Sequence, residues 1–157
     1  MNLIGSLYNE GRVFTGQEVA PDSRGVLNIS GDVTVPNSGA GIWLHDGEMK
    51  VEGTLVNLGT VNLETGLLQV GDYVQEQGSS LSTNLASLTD FGRLAVDRVA
   101  TLNGILAVAP TGALTPGDRY RFMTFGSRGN SFEDLQLPSN LVLDDTDPGF
   151  LELVVNA

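Results

Sequence analysis

Apolar residues recur along this chain at every second position, in short runs that each open on a glycine. The pattern is Gly, any residue, Leu or Met, any residue, Val or Ile. It occurs at Gly25-Val26-Leu27-Asn28-Ile29, Gly47-Glu48-Met49-Lys50-Val51, Gly66-Leu67-Leu68-Gln69-Val70, Gly92-Arg93-Leu94-Ala95-Val96 and Gly104-Ile105-Leu106-Ala107-Val108. A period of two places alternate side chains on opposite faces, so each run predicts a strand with one buried face. The glycines punctuate the strands with turns. The runs are irregularly spaced, but most successive starts lie near twenty positions apart, and Gly104 follows Gly92 more closely.

A second self-similarity has a constant offset. Residues 1–13, MNLIGSLYNEGRV, align without a gap to residues 49–61, MKVEGTLVNLGTV. Six of the thirteen positions are identical, at an offset of 48. A period of twenty-odd residues, doubled, gives this offset, and such periods point to solenoids or propellers.

Helical periodicity is weak throughout. Residues 90–99 are short and broken by glycine, and residues 79–88 carry only a weak helical face. Strands are expected over residues 26–30, 32–35, 41–45, 48–52, 54–57, 60–64, 67–70, 72–75, 93–97, 99–102, 105–109, 119–125, 141–143 and 150–155, with Gly, Asn, Asp, Ser and Pro between them. The fold class is therefore all-β. Asp46-Gly47 is the one clear two-residue hairpin turn in the first hundred residues, too few for a sandwich of hairpins. One strand per turn of about twenty residues suits a solenoid, with ~4.8 Å between coils and a length of ~35 Å for seven or eight of them. Asn9 and Asn57 share a repeat position and are candidates for amide ladders between coils.

Composition narrows the chemistry. Among 157 residues there is no Cys, one His (His45) and one Lys (Lys50), and the net charge is −11. Missing Cys excludes disulfides, thiol nucleophiles and thiolate metal sites, and a single His excludes a His cluster. The acidic balance opposes binding to nucleic acid or to an anionic membrane surface. No run approaches the ~18 apolar residues of a bilayer span. Residues 1–11 lack the basic and apolar regions of a signal peptide, so the expectation is a cytoplasmic chain or a targeting segment outside it.

Residues 66–155 resemble the right-handed β-helix repeats of bacterial autotransporter passengers and related large surface proteins. The likeness lies in Gly66-Leu67-Leu68-Gln69-Val70-Gly71-Asp72-Tyr73-Val74-Gln75, Gly78-Ser79-Ser80-Leu81, Leu94-Ala95-Val96, the run from Ala100 to Val108, Leu114-Thr115-Pro116-Gly117-Asp118-Arg119-Tyr120 with Phe122 to Phe125, Gly129-Asn130-Ser131-Phe132 with Leu137-Pro138, and Leu151 to Val154. Asp97 and Arg98 depart from it, at positions usually small or Gly. The resemblance implies a single right-handed parallel β-helix, or β-solenoid, over residues 1–157: repeat coils at 1–65, and autotransporter-like coils with a C-terminal antiparallel strand cap at 66–157. It further implies a secreted or cell-surface structural or adhesive module, not an enzyme, with no cofactor. Candidate partners are a second copy or further coils at the N-terminal end, where residues 1–13 begin mid-repeat, and a host-surface or glycan ligand. A self-assembling filament subunit and a carbohydrate-binding or polysaccharide-degrading β-helix are the alternatives.

Four constellations bear on chemistry. Asp144, Asp145 and Asp147 offer hard oxygen ligands suited to Ca²⁺, but lack the downstream Glu of an EF-hand loop; a turn between two strands is the expected role. His45 beside Asp46 suggests acid–base work, yet neighbours in a strand face opposite ways, which favours a strand end entering a turn. Trp43, Tyr73, Tyr120 and Phe122 suit either sugar stacking or the core, and the core is expected. Asp32, Glu48, Glu52, Glu64 and Asp72 would make an active site only if the fold gathered them in one groove; a scattered solvated set is expected.

Overall fold

Strands that bury every second side chain need a partner sheet for that face, and this chain supplies it by alternating between two sheets. The computed structural model describes residues 2–5, 7–8, 12–14 and 25–157. Among them there is no helix. Strands Val26–Ile29, Val33–Val35, Glu48–Asn57, Leu67–Gln75, Arg93–Val96 and Val99–Thr101 lie in the larger, 12-stranded sheet. Strands Gly41–Trp43, Thr60–Asn62, Ser80–Ser87, Ile105–Pro110 and Asp134–Gln136 lie in the 7-stranded one. The chain crosses from one sheet to the other and back, and each new strand pairs in parallel with the one laid down on the previous pass.

The registers explain the sequence offsets. In the larger sheet Leu7 pairs with Val33, and Val33 with Leu55. In the other sheet Arg12 pairs with Gly41, and Gly41 with Thr60. Leu7 to Leu55 and Arg12 to Thr60 are both offsets of 48, the offset of the self-similarity, which is therefore two passes of the chain. The glycine-led runs starting at Gly25, Gly47, Gly66 and Gly92 all enter strands of the larger sheet, in register with one another. The fifth run, which follows the fourth so closely, enters Ile105–Pro110 of the smaller sheet and pairs with Ser80–Ser87.

Parallel register stacks like side chains into columns. Met49, Leu68, Leu94 and Met123 form one inward column and Ile29, Val51, Val70 and Val96 another. From the facing sheet Ile42, Val61, Leu81 and Leu106 complete the same core. Full burial of each such side chain contributes about 1.5–3 kcal/mol. Residues 48–52 and 54–57 form one strand, Glu48–Asn57, whose register with Leu67–Gln75 shifts between Val51 and Thr54, so the two expected strands are joined through a bulge.

Two expectations are corrected. Residues 79–88 hold a strand, Ser80–Ser87, with Leu81, Thr83 and Leu85 inward. Its alternation is carried partly by Thr83, whose buried hydroxyl donates to the Gly92 carbonyl at 3.0 Å. The short strands Asp90–Phe91, Ser127–Gly129 and Asp134–Gln136 also lie where the sequence pattern predicts none. The last turns are antiparallel: Phe150–Val155 pairs with Arg119–Thr124 on one side and Leu141–Asp144 on the other, and Leu141–Asp144 ends the larger sheet.

Candidate functional site

Inside the core a polar cluster sits where the repeat places Asn57. Asn57 and Gln75 are register partners, both fully buried, but their amides meet through Tyr73. The Asn57 Nδ2 donates to the Ser80 carbonyl at 2.9 Å and to the Tyr73 hydroxyl at 3.3 Å, and its Oδ1 accepts from the Gly59 N–H at 3.0 Å. The Tyr73 hydroxyl donates to Gln75 Oε1 at 2.8 Å, and Gln75 Nε2 donates to the Ile105 carbonyl at 2.9 Å. Burial pushes the Tyr73 phenol far up, so it stays neutral. The cluster is sealed and its bonds tie three passes together. The expected partner Asn9 lies outside the described residues. An exposed amide pair does occur, Asn28 Nδ2 donating to Asn2 Oδ1 at 2.9 Å.

The acids flagged by sequence are dispersed. Asp32 Oδ1 accepts the Thr54 N–H at 2.7 Å, and Asp72 Oδ1 accepts the Val99 N–H at 3.0 Å. Each precedes by one position a residue of the inward column Val33, Leu55, Tyr73 and Ala100, and each bonds the backbone of the next pass at that same height. Arg98 closes on Asp72 Oδ2 through Nη2 at 2.6 Å and Nε at 3.1 Å. Hydrogen bonding from Arg98, aided by the Val99 N–H, holds the Asp72 carboxyl below its usual 3.8. A carboxylate whose folded pKa is depressed stabilises the fold above its unfolded pKa and loses that contribution as pH falls through the folded value. Asp72→Asn is therefore expected to flatten the fall of Tm between about pH 5 and pH 2. Thermal melts across that range that run parallel for variant and parent would refute this role.

Glu64 Oε2 lies 2.8 Å from His45 Nδ1, so the imidazole pairs with a carboxylate of the next pass. Both residues are turn corners at positive φ, 52° for His45 and 48° for Glu64. The segments Leu44-His45-Asp46-Gly47 and Leu63-Glu64-Thr65-Gly66 share a bond from the Gly N–H to the Leu carbonyl, 2.7 Å in each. The recurrence of Leu-x-x-Gly from Leu44 to Leu63, one pass later, was a readable sign of stacked corners. Glu48 and Glu52 are exposed on the larger sheet. Glu52 and Lys50 border a groove of about 380 Å³ with Asn2, Ile4 and Asn28.

The carboxylates of the last turn are committed within the fold. Asp144 Oδ1 accepts from the Thr146 hydroxyl at 2.7 Å, and its Oδ2 accepts from Arg119 at 3.1 Å. Asp145 lies 3.7 Å from Arg128, and Asp147 Oδ1 accepts the Gly149 N–H at 2.9 Å. Among the described residues no group of three His, Cys, Asp or Glu is placed to hold a metal ion. Tyr73, Tyr120 and Phe122 are core, and Trp43 is half-buried.

A concave feature that gathers positive charge was not signalled by any motif. It lies on the outer face of the larger sheet, across strands Leu67–Gln75, Arg93–Val96 and Arg119–Thr124. Leu67, Phe91, Arg93, Ala95, Arg121 and Thr124 line a groove of about 350 Å³. Phe91 is held edge-on against Tyr120, with ring centroids 5.4 Å apart. The Arg121 Nε donates to Glu152 Oε1 at 3.2 Å, and its guanidinium carbon stands 3.7 Å over the Phe150 ring.

No family model and no curated protein matches the chain.

Proposed function

We propose that the chain is a structural or adhesive module, not an enzyme, of a secreted or bacterial cell-surface protein, built as a right-handed parallel β-helix with an antiparallel C-terminal cap. The observation that carries this reading is the register: the offset of the self-similarity equals two parallel steps in both sheets. A chain built by repeating one pass gains length and rigidity, the properties of a stalk or spacer. The resemblance of residues 66–155 to autotransporter passenger repeats supplies the surface setting. The use of Asp32, Asp72 and Glu64 to bond successive passes supports a structural role for the acids.

Two experiments test it. Deleting residues 48–66, the step from Glu48 to its register partner Leu67, joins strand to strand in register; the variant is expected to fold and to lose ~5 Å of length by small-angle scattering. An unfolded product would count against the β-helix. Protease shaving of intact producing cells is expected to release peptides of this chain, and peptides found only after lysis would remove the surface setting.

A second reading, end-to-end assembly, is favoured by the terminal strands. Asn2–Leu3, Leu7–Tyr8 and Arg12–Phe14 each pair on one edge only among the described residues, and Ile4 is 93% exposed. Unpaired edges template further pairing. Light scattering after size exclusion is expected to show mass rising with concentration, and a strict monomer throughout would refute assembly.

A further inference from the structure

The geometry points to the groove between Arg93 and Arg121 as a binding site for an acidic sugar: a carboxylate carried on a ring with an apolar face. The inference rests on the outer face of the larger sheet and stands or falls separately from the surface role proposed above.

Charge pairing singles the groove out. Arg98, Arg119, Arg121 and Arg128 each pair with a carboxylate, whereas Arg93 pairs with none among the described residues. In a chain of net charge −11, an unpaired guanidinium in a concave site lined by no acidic side chain is an exception that needs a cause. Arg121 is prepared for the same ligand. Its Nε is fixed by Glu152 and its plane by Phe150, which leaves both terminal nitrogens as donors. A preorganised guanidinium loses less entropy on binding, and two of them match the paired oxygens of a carboxylate.

The remaining walls set the ring. Ala95 pairs with Gln69 on one side and Thr124 on the other, and its small side chain forms the low point between them. Arg93 pairs with Leu67, so the apolar side chain stands directly beside the unpaired charge. Leu67 and the anchored Phe91 offer surface for the C–H face of a pyranose, and Thr124 offers a hydroxyl for its rim. The volume, about 350 Å³, falls within the range of small-ligand sites. An inorganic anion would use the two arginines and leave the apolar walls idle, and a neutral sugar would leave the Arg93 guanidinium without a charged partner.

Titration calorimetry on the full chain tests this with four probes: oligogalacturonate, sulfated dextran, neutral dextran and inorganic sulfate. Oligogalacturonate is expected to bind, more tightly than sulfated dextran or sulfate, and neutral dextran is expected not to bind. Its affinity should fall as salt rises, because local attraction is screened; the opposite slope would mean that the overall negative charge dominates and would overturn the site. Arg93→Gln and Ala95→Glu are each expected to weaken binding at least ~tenfold without moving Tm, and Lys50→Gln, in the other groove, to leave it unchanged. Retained affinity in both groove variants, sulfate binding as tightly as the sugar acid, or no heat with any anionic probe at millimolar concentration would each refute the proposal.

Discussion

Asn57→Ala is expected to cost about 3–5 kcal/mol, the largest loss from any single polar truncation among the described residues. The side chain is fully buried and serves the Gly59 N–H, the Ser80 carbonyl and the Tyr73 hydroxyl. Truncation strands one backbone donor and one backbone acceptor in the core, each at about 1–3 kcal/mol, and opens a small void besides. The companion variant Tyr73→Phe keeps the packing and removes only the hydroxyl that joins Asn57 to Gln75, for an expected loss of about 1–2 kcal/mol. Urea unfolding measures both through the midpoint at constant m. An Asn57→Ala loss below about 1 kcal/mol would mean that water replaces the amide and that the cluster does not clamp the passes.

Gly66→Val is expected to destabilise by about 3 kcal/mol for a different reason. A Cβ at position 66 would lie 2.6 Å from the Gly47 carbonyl oxygen and 2.6 Å from Leu44 Cβ, both on the preceding pass. Neither atom can yield alone, because Gly47 is bonded to Leu44 and Leu67 to Gly47. Relief requires prising two passes apart along a whole corner. Gly129 provides the contrast: nothing lies within 4 Å of its added Cβ, and Gly129→Ala should fall within about 0.5 kcal/mol of the parent. Equal losses at the two positions would show that strand propensity, and not contact between passes, sets the need for glycine.

That comparison bears on what the sequence disclosed. The glycine-led runs were legible as strands; that four of the five share one sheet emerged only from the registers. The glycine's purpose was not, since Gly66 and Gly92 are demanded by close approach of the neighbouring pass and not by a turn dihedral. The offset between residues 1–13 and 49–61 was legible because backbone register repeats side-chain demands at the same depth. Strand Ser80–Ser87 was hidden because a hydroxyl, Thr83, occupies an inward position that apolar patterning expects to be apolar. The polar cluster was half visible: Asn57 stood out, but its partners come from residues 73, 75 and 80, whose meeting depends on where the paired strands bend at their register shift. The groove at Arg93 was invisible for the same reason in stronger form. Its lining is drawn from four strands starting at residues 67, 90, 93 and 119, and no local motif records which residues become neighbours across passes.

The short, recurring separation between paired strands also sets how this chain reaches its fold. Relative to the whole length that separation is ~0.15, within the range of mixed two-state domains and shorter than an all-β fold of distant pairings demands. Each pass needs only the one before it as a template, so ordering can spread from any formed pair as a zipper does. A chain of this kind can fold progressively as it emerges from a pore or a ribosome, one increment for every pass released. The first pair of passes is expected to form slowest, and hydrogen exchange during refolding should find protection arising there and spreading outward.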